Sequence, residues 1–328
     1  MVHTFRLVFK LWRKHVWFLR NAYDIDAMEV GKYFGDTFNG VTLTVYRRPN
    51  KQALYLSLIV DAPLMLDKGE ITEGDLLEIE GRLMEILTVM FGDQKLYHQH
   101  QLMRIDYRFD SIIEEASVRK AYVDLYNKSY RKKARRLKKS GRINVQGFYE
   151  EYETGVEHKN GSVETAVYDK MAERRAKKKP IKAYEKDVLR FEVRLKEKFM
   201  SYQKGEYEVP RELKVYFSKE KYRQMMYQYI LGTYLTKDFV RYSLAVGYVE
   251  RSQFGKQVQK AITKFLRTVS RGDLSSPQNS MAAATFNRRL AECTELGFHP
   301  ITIPNSWKHL PDFLENPLSV LESIINSS

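Results

Sequence analysis

Five runs of period-two sequence constrain what this chain can fold into. They are VTLTVYRR (41–48), ALYLSLIVDAP (53–63), LYHQHQLMRIDYRFD (96–110), SVETAVYDK (162–170) and DVLRFEVRLK (187–196). Each is rich in β-branched or aromatic residues and alternates in the way a strand requires. Between the second and third lies ITEGDLLEIEGRLMEILTVMFG (71–92), which has a helical period instead. Thr72 is its N-cap, Leu76, Ile79, Leu83, Ile86, Leu87 and Met90 are its apolar stripe, and Gly92 is its stop. Residues 117–139 read as a long basic helix, broken by SGR at 140–142. The order strand, strand, helix, strand, helix, strand, strand is not a regular βαβ alternation. It predicts an α+β fold, an antiparallel sheet with helices packed on it.

After residue 208 the character changes. Residues 218–270 read as mostly helical, beginning at Ser218, and a Ser/Pro loop at 270–278 precedes a further helix. The expected organisation is a basic amphipathic segment over 1–26, a catalytic domain over 27–208, and a mostly helical carboxy-terminal region over 209–328 suited to DNA binding or dimerisation. In the first segment Phe5, Phe9, Trp12, Val16 and Leu19 recur at helical spacing, with Arg6, Lys10, Arg13 and Lys14 off that stripe. Such a helix could lie on DNA or a membrane surface, or pack onto the domain. Its apolar runs never exceed four residues, too few for a signal-peptide core or a membrane span. No stable membrane insertion is expected.

The chain of 328 residues carries 55 Lys and Arg against 41 Asp and Glu, a net charge of +14. That balance favours a polyanionic partner without dictating the fold. A single cysteine, Cys293, excludes an internal disulfide and a cysteine-built zinc site, and fits a reducing, cytoplasmic setting. The densest basic run, KSYRKKARRLKKSGR (128–142), contains Arg131, Lys132, Lys133, Arg135, Arg136, Lys138 and Lys139. A run of this kind is either a solvated face or a phosphate-binding one. The scarcity of neighbouring acids favours DNA backbone contacts, which supply affinity without reading sequence. Lys177, Lys178 and Lys179 form a smaller patch of the same kind.

Three features carry chemistry. Asp106 sits inside the strand-like RIDYRFD and Glu192 inside LRFEVRL, and an acid in mid-strand is costly to bury unless paired or bound to a cation. Tyr168 closes the strand-like run AVYDK with Lys170 two positions on, so a strand would place both on one face and turn Asp169 away. One such acid usually marks a salt bridge. Two acids with a strand-end Tyr-x-Lys form a set that could hold Mg²⁺ or Mn²⁺ against a scissile phosphate while the tyrosine attacks it. Arg104 and Arg190, beside the acids, read as further phosphate contacts. His98 and His100 would point the same way on a strand and could share an ion, although the polar Gln99 between them suits a solvated face. Tyr122, Tyr126 and Tyr130, four apart, read as one helix face.

The ordered triplet RIDYRFD (104–110), VYDKMAE (167–173) and LRFEVRL (189–195) resembles the motifs of rolling-circle replication initiators. The closest types are the trans-acting plasmid Rep proteins and their relatives in phages and mobile elements. The tail LGFHPITIP resembles the end of phage- and element-borne members. The resemblance implies an origin-nicking endonuclease and strand transferase. Tyr168 would be its nucleophile with Lys170 beside it, and Asp106, Glu192 and the weaker third acid Asp110 would bind metal. Attack would leave a 5′-phosphotyrosine and free a 3′-hydroxyl to prime replication, with origin DNA, host helicase and polymerase as partners and a homodimer as one state. Where many members carry an aromatic residue and a glycine before the serine upstream of the tyrosine, this chain reads TGVEHKNGS. A later strand transfer could use a second tyrosine, Tyr149 or Tyr152. A phenol ordinarily titrates near pH 10, so Tyr168 needs activation, expected from a divalent ion and Lys170. A non-catalytic DNA-binding regulator is the alternative.

Overall fold

In the computed structural model, residues 1–48, 53–129, 136–143 and 149–327 are described, with the backbone alone over 136–143 and 149–153. The chain begins with β1 (Val2–Leu11), α1 (Arg13–Tyr23), β2 (Val41–Arg47), β3 (Leu54–Asp61), α2 (Leu76–Phe91) and β4 (Gln101–Ile112). It continues through α3 (Ala116–Asn127), β5 (Arg136–Ile143), β6 (Tyr149–Lys159), β7 (Val163–Asp169), α4 (Lys170–Ala176) and β8 (Val188–Leu195). Beyond β8 it is mostly helical, with α5 (Glu197–Tyr207), α6 (Tyr242–Arg251), α7 (Lys256–Arg271) and α8 (Ala283–Glu295) the longer elements. The eight strands form one antiparallel sheet in the order β2-β3-β1-β4-β8-β7-β6-β5. This is the α+β class the period-two runs predict, with the expected helical carboxy-terminal region.

Two compact units interleave along the chain rather than following it linearly. The first comprises residues 1–108, 161–164 and 193–225, and the second 109–160, 165–192 and 226–328. In the first, Phe5, Leu7 and Phe9 of β1 lie opposite Val60, Leu58 and Leu56 of β3, and all six are buried. Helix α2 buries Ile79, Leu83, Leu87 and Met90, as its stripe predicts, and Gly92 ends it in the left-handed conformation (φ 65°). In the second unit, Tyr126 of α3 is the centre of an aromatic core. Its ring meets Phe191, Tyr234 and Phe239 edge-on at 5.3–5.5 Å, and its hydroxyl donates to Asn316 Oδ1 at 2.6 Å.

Three local expectations are corrected. Residues 2–11 form no amphipathic helix; they are an inner strand of the sheet, and helix begins only at Arg13. Phe5, Leu7, Phe9 and Leu11 are buried on one face of the strand, while Thr4, Arg6 and Lys10 on the other are intermediate or exposed, with Val2 and Val8 buried between and beside them, so the segment alternates as a strand does. Helix α1 does pack onto its unit. Its His15 is buried beside Phe91 with Nε2 3.2 Å from Asp93, and that burial lowers the imidazole pKa. The basic helix expected over 117–139 ends at Asn127, and Arg136, Lys138 and Lys139 belong to strand β5. Tyr130, Arg131, Lys132, Lys133 and Arg135 lie outside the described residues. Finally, His98 lies in a 3₁₀ turn (Gln94–Gln99) ahead of β4, not on a strand, and His100 Nε2 accepts from the Leu213 amide at 2.9 Å. Among the described residues no helix is long and apolar enough to cross a membrane.

Candidate active site

The second unit collects Tyr168, Lys170, Glu192, Arg190 and Asp110 at the end of β7. Tyr168 is the penultimate residue of that strand, and the strand stops one residue later because Asp169 turns the chain into α4. Its Oδ1 accepts from the Ala172 amide at 3.0 Å, an N-cap, while its Oδ2 accepts from Arg119 Nε at 2.8 Å. The buried Arg119 also donates to Asp187 Oδ1 at 3.1 Å and to the Glu114 carbonyl at 2.9 Å. One guanidinium thus ties the end of β7 to the residue just before β8. Asp169 is structural, consistent with its facing away from the tyrosine. Arg119 and Asp187 carry no signal in the sequence, since each is one charge in an ordinary surface-like stretch.

The Tyr168 hydroxyl donates to Glu192 Oε2 at 2.8 Å. The side chain is half-buried, and its pKa is raised well above the ordinary value by burial first and by Glu192 next, against an opposing pull from Arg190. This is opposite in direction to the activation expected from sequence. As arranged, the phenol holds its proton and points it at a carboxylate. Lys170 does not share a strand face with Tyr168, because it is the first residue of α4. Its Nζ stands 5.7 Å from the Tyr168 ring centre, 3.1 Å from Glu173 Oε2 and 3.6 Å from Glu185 Oε1. Burial, then Arg190, lower its pKa. Arg174 grips both oxygens of Glu185, with Nε at 2.9 and 2.8 Å.

Arg190, read from the sequence as a DNA contact, has no exposed surface. It donates through Nε and a terminal nitrogen to Asp110 Oδ1 and Oδ2 at 2.7 and 2.8 Å. Burial opposes its charge, but Tyr168, Asp110 and Glu192 outweigh that and raise its pKa. The cluster therefore keeps a fixed positive charge beside the tyrosine.

Close approach of β6 to β7 also shapes the site. A Cβ at Gly155 would stand 2.3 Å from Tyr168 Cβ and 2.7 Å from the Val167 carbonyl oxygen. Only a residue without a side chain lets the backbone pass there. Nearby His158 is buried with its ring stacked on Tyr234 at 5.7 Å. Tyr149 and Tyr152 lie on β6 where the backbone alone is described.

Asp106 belongs to the first unit. Arg104 Nε donates to its Oδ1 at 2.8 Å and Arg194 Nε to its Oδ2 at 3.1 Å, and Arg194 also reaches Glu164 Oε1 at 2.5 Å. Arg104 is thus an ion-pair partner of Asp106, and Arg194 a partner that period-two reading of LRFEVRL could have flagged. The acids do not fit a hard cation in this arrangement. Asp106 and Asp110 spend both oxygens on guanidinium groups, and Glu192 takes the tyrosine proton donor. Among the described residues no group of three or more His, Cys, Asp or Glu is placed to hold a metal ion.

An antiparallel α+β protein with a tyrosine, an acid and a buried arginine gathered at one strand end is the class that fold and site define. No family model matches the chain, and no curated protein matches it in sequence. Among solved structures it is similar to a rolling circle replication initiator protein from Geobacillus stearothermophilus, at 10% identity and a TM-score of 0.28, over 92% of this chain and 98% of that one. A likeness that distant assigns no residue a role.

Proposed function

We propose that the chain initiates rolling-circle replication by cutting one DNA strand at its origin and transferring that strand through Tyr168. The observation that carries this reading is the 2.8 Å hydrogen bond from the Tyr168 hydroxyl to Glu192. A nucleophile paired with a proton acceptor is the minimum apparatus for covalent catalysis at neutral pH. As the phenol oxygen attacks phosphorus, Glu192 takes its proton. The bond from phosphorus to the 3′ oxygen breaks, that oxygen gains a proton from solvent, and the 5′ phosphate stays on Tyr168. One phosphodiester replaces another, so a later 3′-hydroxyl can reverse the step and reclose a circle. Arg190 and Lys170 set a positive field against charge gathering on the phosphoryl oxygens. The motif order of the sequence and its basic balance support the same reading, with DNA as partner.

The test is incubation of the full chain with single-stranded origin DNA and with supercoiled origin plasmid, followed by a search for a nucleotide-modified peptide by mass spectrometry. Modification of Tyr168, abolished in Tyr168→Phe, is expected. An adduct that survives that substitution overturns the assignment. Parallel reactions with Mg²⁺, with Mn²⁺ and with chelator decide whether a cation takes part.

A further inference from the structure

Helix α7 presents a second basic surface, remote in sequence from the basic run at 128–142. Its sequence KQVQKAITKFLRTVSR has five cations and no acid. At about 100° per residue, Lys256, Lys260, Lys264, Arg267 and Arg271 fall within an arc of roughly 80°. The opposite face buries Ile262, Phe265, Leu266 and Val269, and Phe265 meets Phe286 of α8 edge-on at 6.0 Å. The helix is therefore fixed to its unit by one face and displays charge on the other. All five cations are exposed, and they line a groove of about 590 Å³ with Gln259, Thr263 and Thr268. Among the described residues Glu250 is the one acid in its lining.

Elsewhere some helical cations are neutralised locally. Arg82 pairs with Glu78, Lys120 with Asp124 and Lys177 with Glu173, each four residues apart. Helix α7 contains no acid that could pair with its five in this way, so like charges one turn apart repel along its length. A stripe kept against that repulsion suits a polyanion. It extends about 22 Å, a distance over which duplex DNA presents about one negative charge per 1.7 Å.

The geometry points to the α7 stripe as a docking surface for the phosphate backbone of double-stranded DNA. Two competing partners fit less well. A helix that lies on a membrane inserts its apolar face, whereas here that face is already occupied by the protein. A surface for single strands offers aromatic rings on which bases stack, whereas among the described residues no aromatic side chain lines this groove. Contacts of this kind hold the duplex without reading it. The inference does not depend on Tyr168 chemistry.

The experiment measures affinity of the full chain for a 20-base-pair duplex across a salt series, beside the variant Lys260→Gln/Lys264→Gln/Arg267→Gln. Loss of three phosphate contacts should flatten the slope of log affinity against log salt by about 2.7, equally on unrelated sequences. Cleavage of a short single-stranded origin oligonucleotide should be unchanged; its absence in the parent chain would count against the Tyr168 reading alone. An unaltered duplex affinity and slope overturns the proposal. So does a loss confined to binding of phosphatidylserine vesicles, which would assign the stripe to lipid. Should the variant not fold, acetylation of the parent gives the answer. Duplex should protect Lys256, Lys260 and Lys264, and equal reactivity with and without DNA overturns the proposal.

Discussion

Replacing Gly155 with alanine should disable Tyr168 without touching any group that takes part in its chemistry. The added methyl would stand 2.3 Å from Tyr168 Cβ, 2.7 Å from the Val167 carbonyl oxygen and 3.0 Å from Tyr168 Cα. Ordinary contact begins near 3.4 Å, so the two strands must separate by about 1.1 Å at this point. Two of the three obstacles are backbone, so rotating a side chain gives no relief. Overpacking of this kind lowers stability by about 1–3 kcal/mol. A nucleophile displaced by about 1 Å loses on the order of 10²-fold in rate, equivalent to about 2.7 kcal/mol of activation free energy. The assay pairs single-turnover adduct formation with thermal unfolding. Gly81→Ala, in the middle of α2 with nothing within 4 Å of its new methyl, is the control; it should raise stability by about 0.5–1 kcal/mol and leave adduct formation alone. A Gly155→Ala protein that forms adduct at the parental rate would refute the claim that β6 positions the tyrosine.

Two further outcomes follow from the same cluster. Glu192→Gln keeps a hydrogen-bond acceptor for Tyr168 but cannot take its proton, so adduct formation should fall by about 10²–10⁴ with the fold retained; a rate within threefold of the parent would remove Glu192 as the base. Glu173 and Glu185 have lowered pKa values: burial is the largest single influence and opposes this, but Lys170 and Lys177 together on the first, and Arg174, the Lys182 amide and Lys170 together on the second, outweigh it. A depressed carboxylate stabilises the folded state above its unfolded value of 4.5, and that stability is lost as pH falls through the folded value. The melting temperature should therefore drop on acidification below about pH 4.5, and Glu185→Gln should flatten that limb, as calorimetry across pH 3–7 would show.

Much of the fold was legible because local signals agreed with one another. Strands β2, β3, β7 and β8 follow their period-two runs, and α2 stops at Gly92 as expected, whereas Thr72 caps a 3₁₀ turn (Glu73–Asp75) and α2 itself begins at Leu76. Ser218 opens a helix as expected, with its hydroxyl accepting from the Lys221 amide at 3.2 Å. For β1 the sequence is ambiguous because Phe5 and Phe9, four apart, share one face of a helix and one face of a strand alike. The histidines were misplaced because a 3₁₀ turn interrupts what reads as one strand. At the site, the sequence shows that RIDYRFD and LRFEVRL alternate acids with arginines. It cannot show which acid meets which arginine, because that depends on how two strands are offset. Asp110 with Arg190 and Asp106 with Arg194 are consequences of register, and they turn candidate metal ligands into ion-pair partners. The Glu192–Tyr168 hydrogen bond is likewise invisible in the sequence, although both residues stand out there.

The position of β1 gives synthesis an order of events. Its ten residues leave the ribosome ahead of both strands that flank them, β3 and β4, so both neighbours are present only when residue 112 has been made. At ordinary translation rates roughly 5–20 s pass in between. Through that interval a greasy ribbon with hydrogen-bonding edges on both sides waits for its neighbours. Trimming it from a recombinant chain would leave β3 and β4 facing an empty slot, so loss of solubility, not merely loss of a tail, is what the topology imposes.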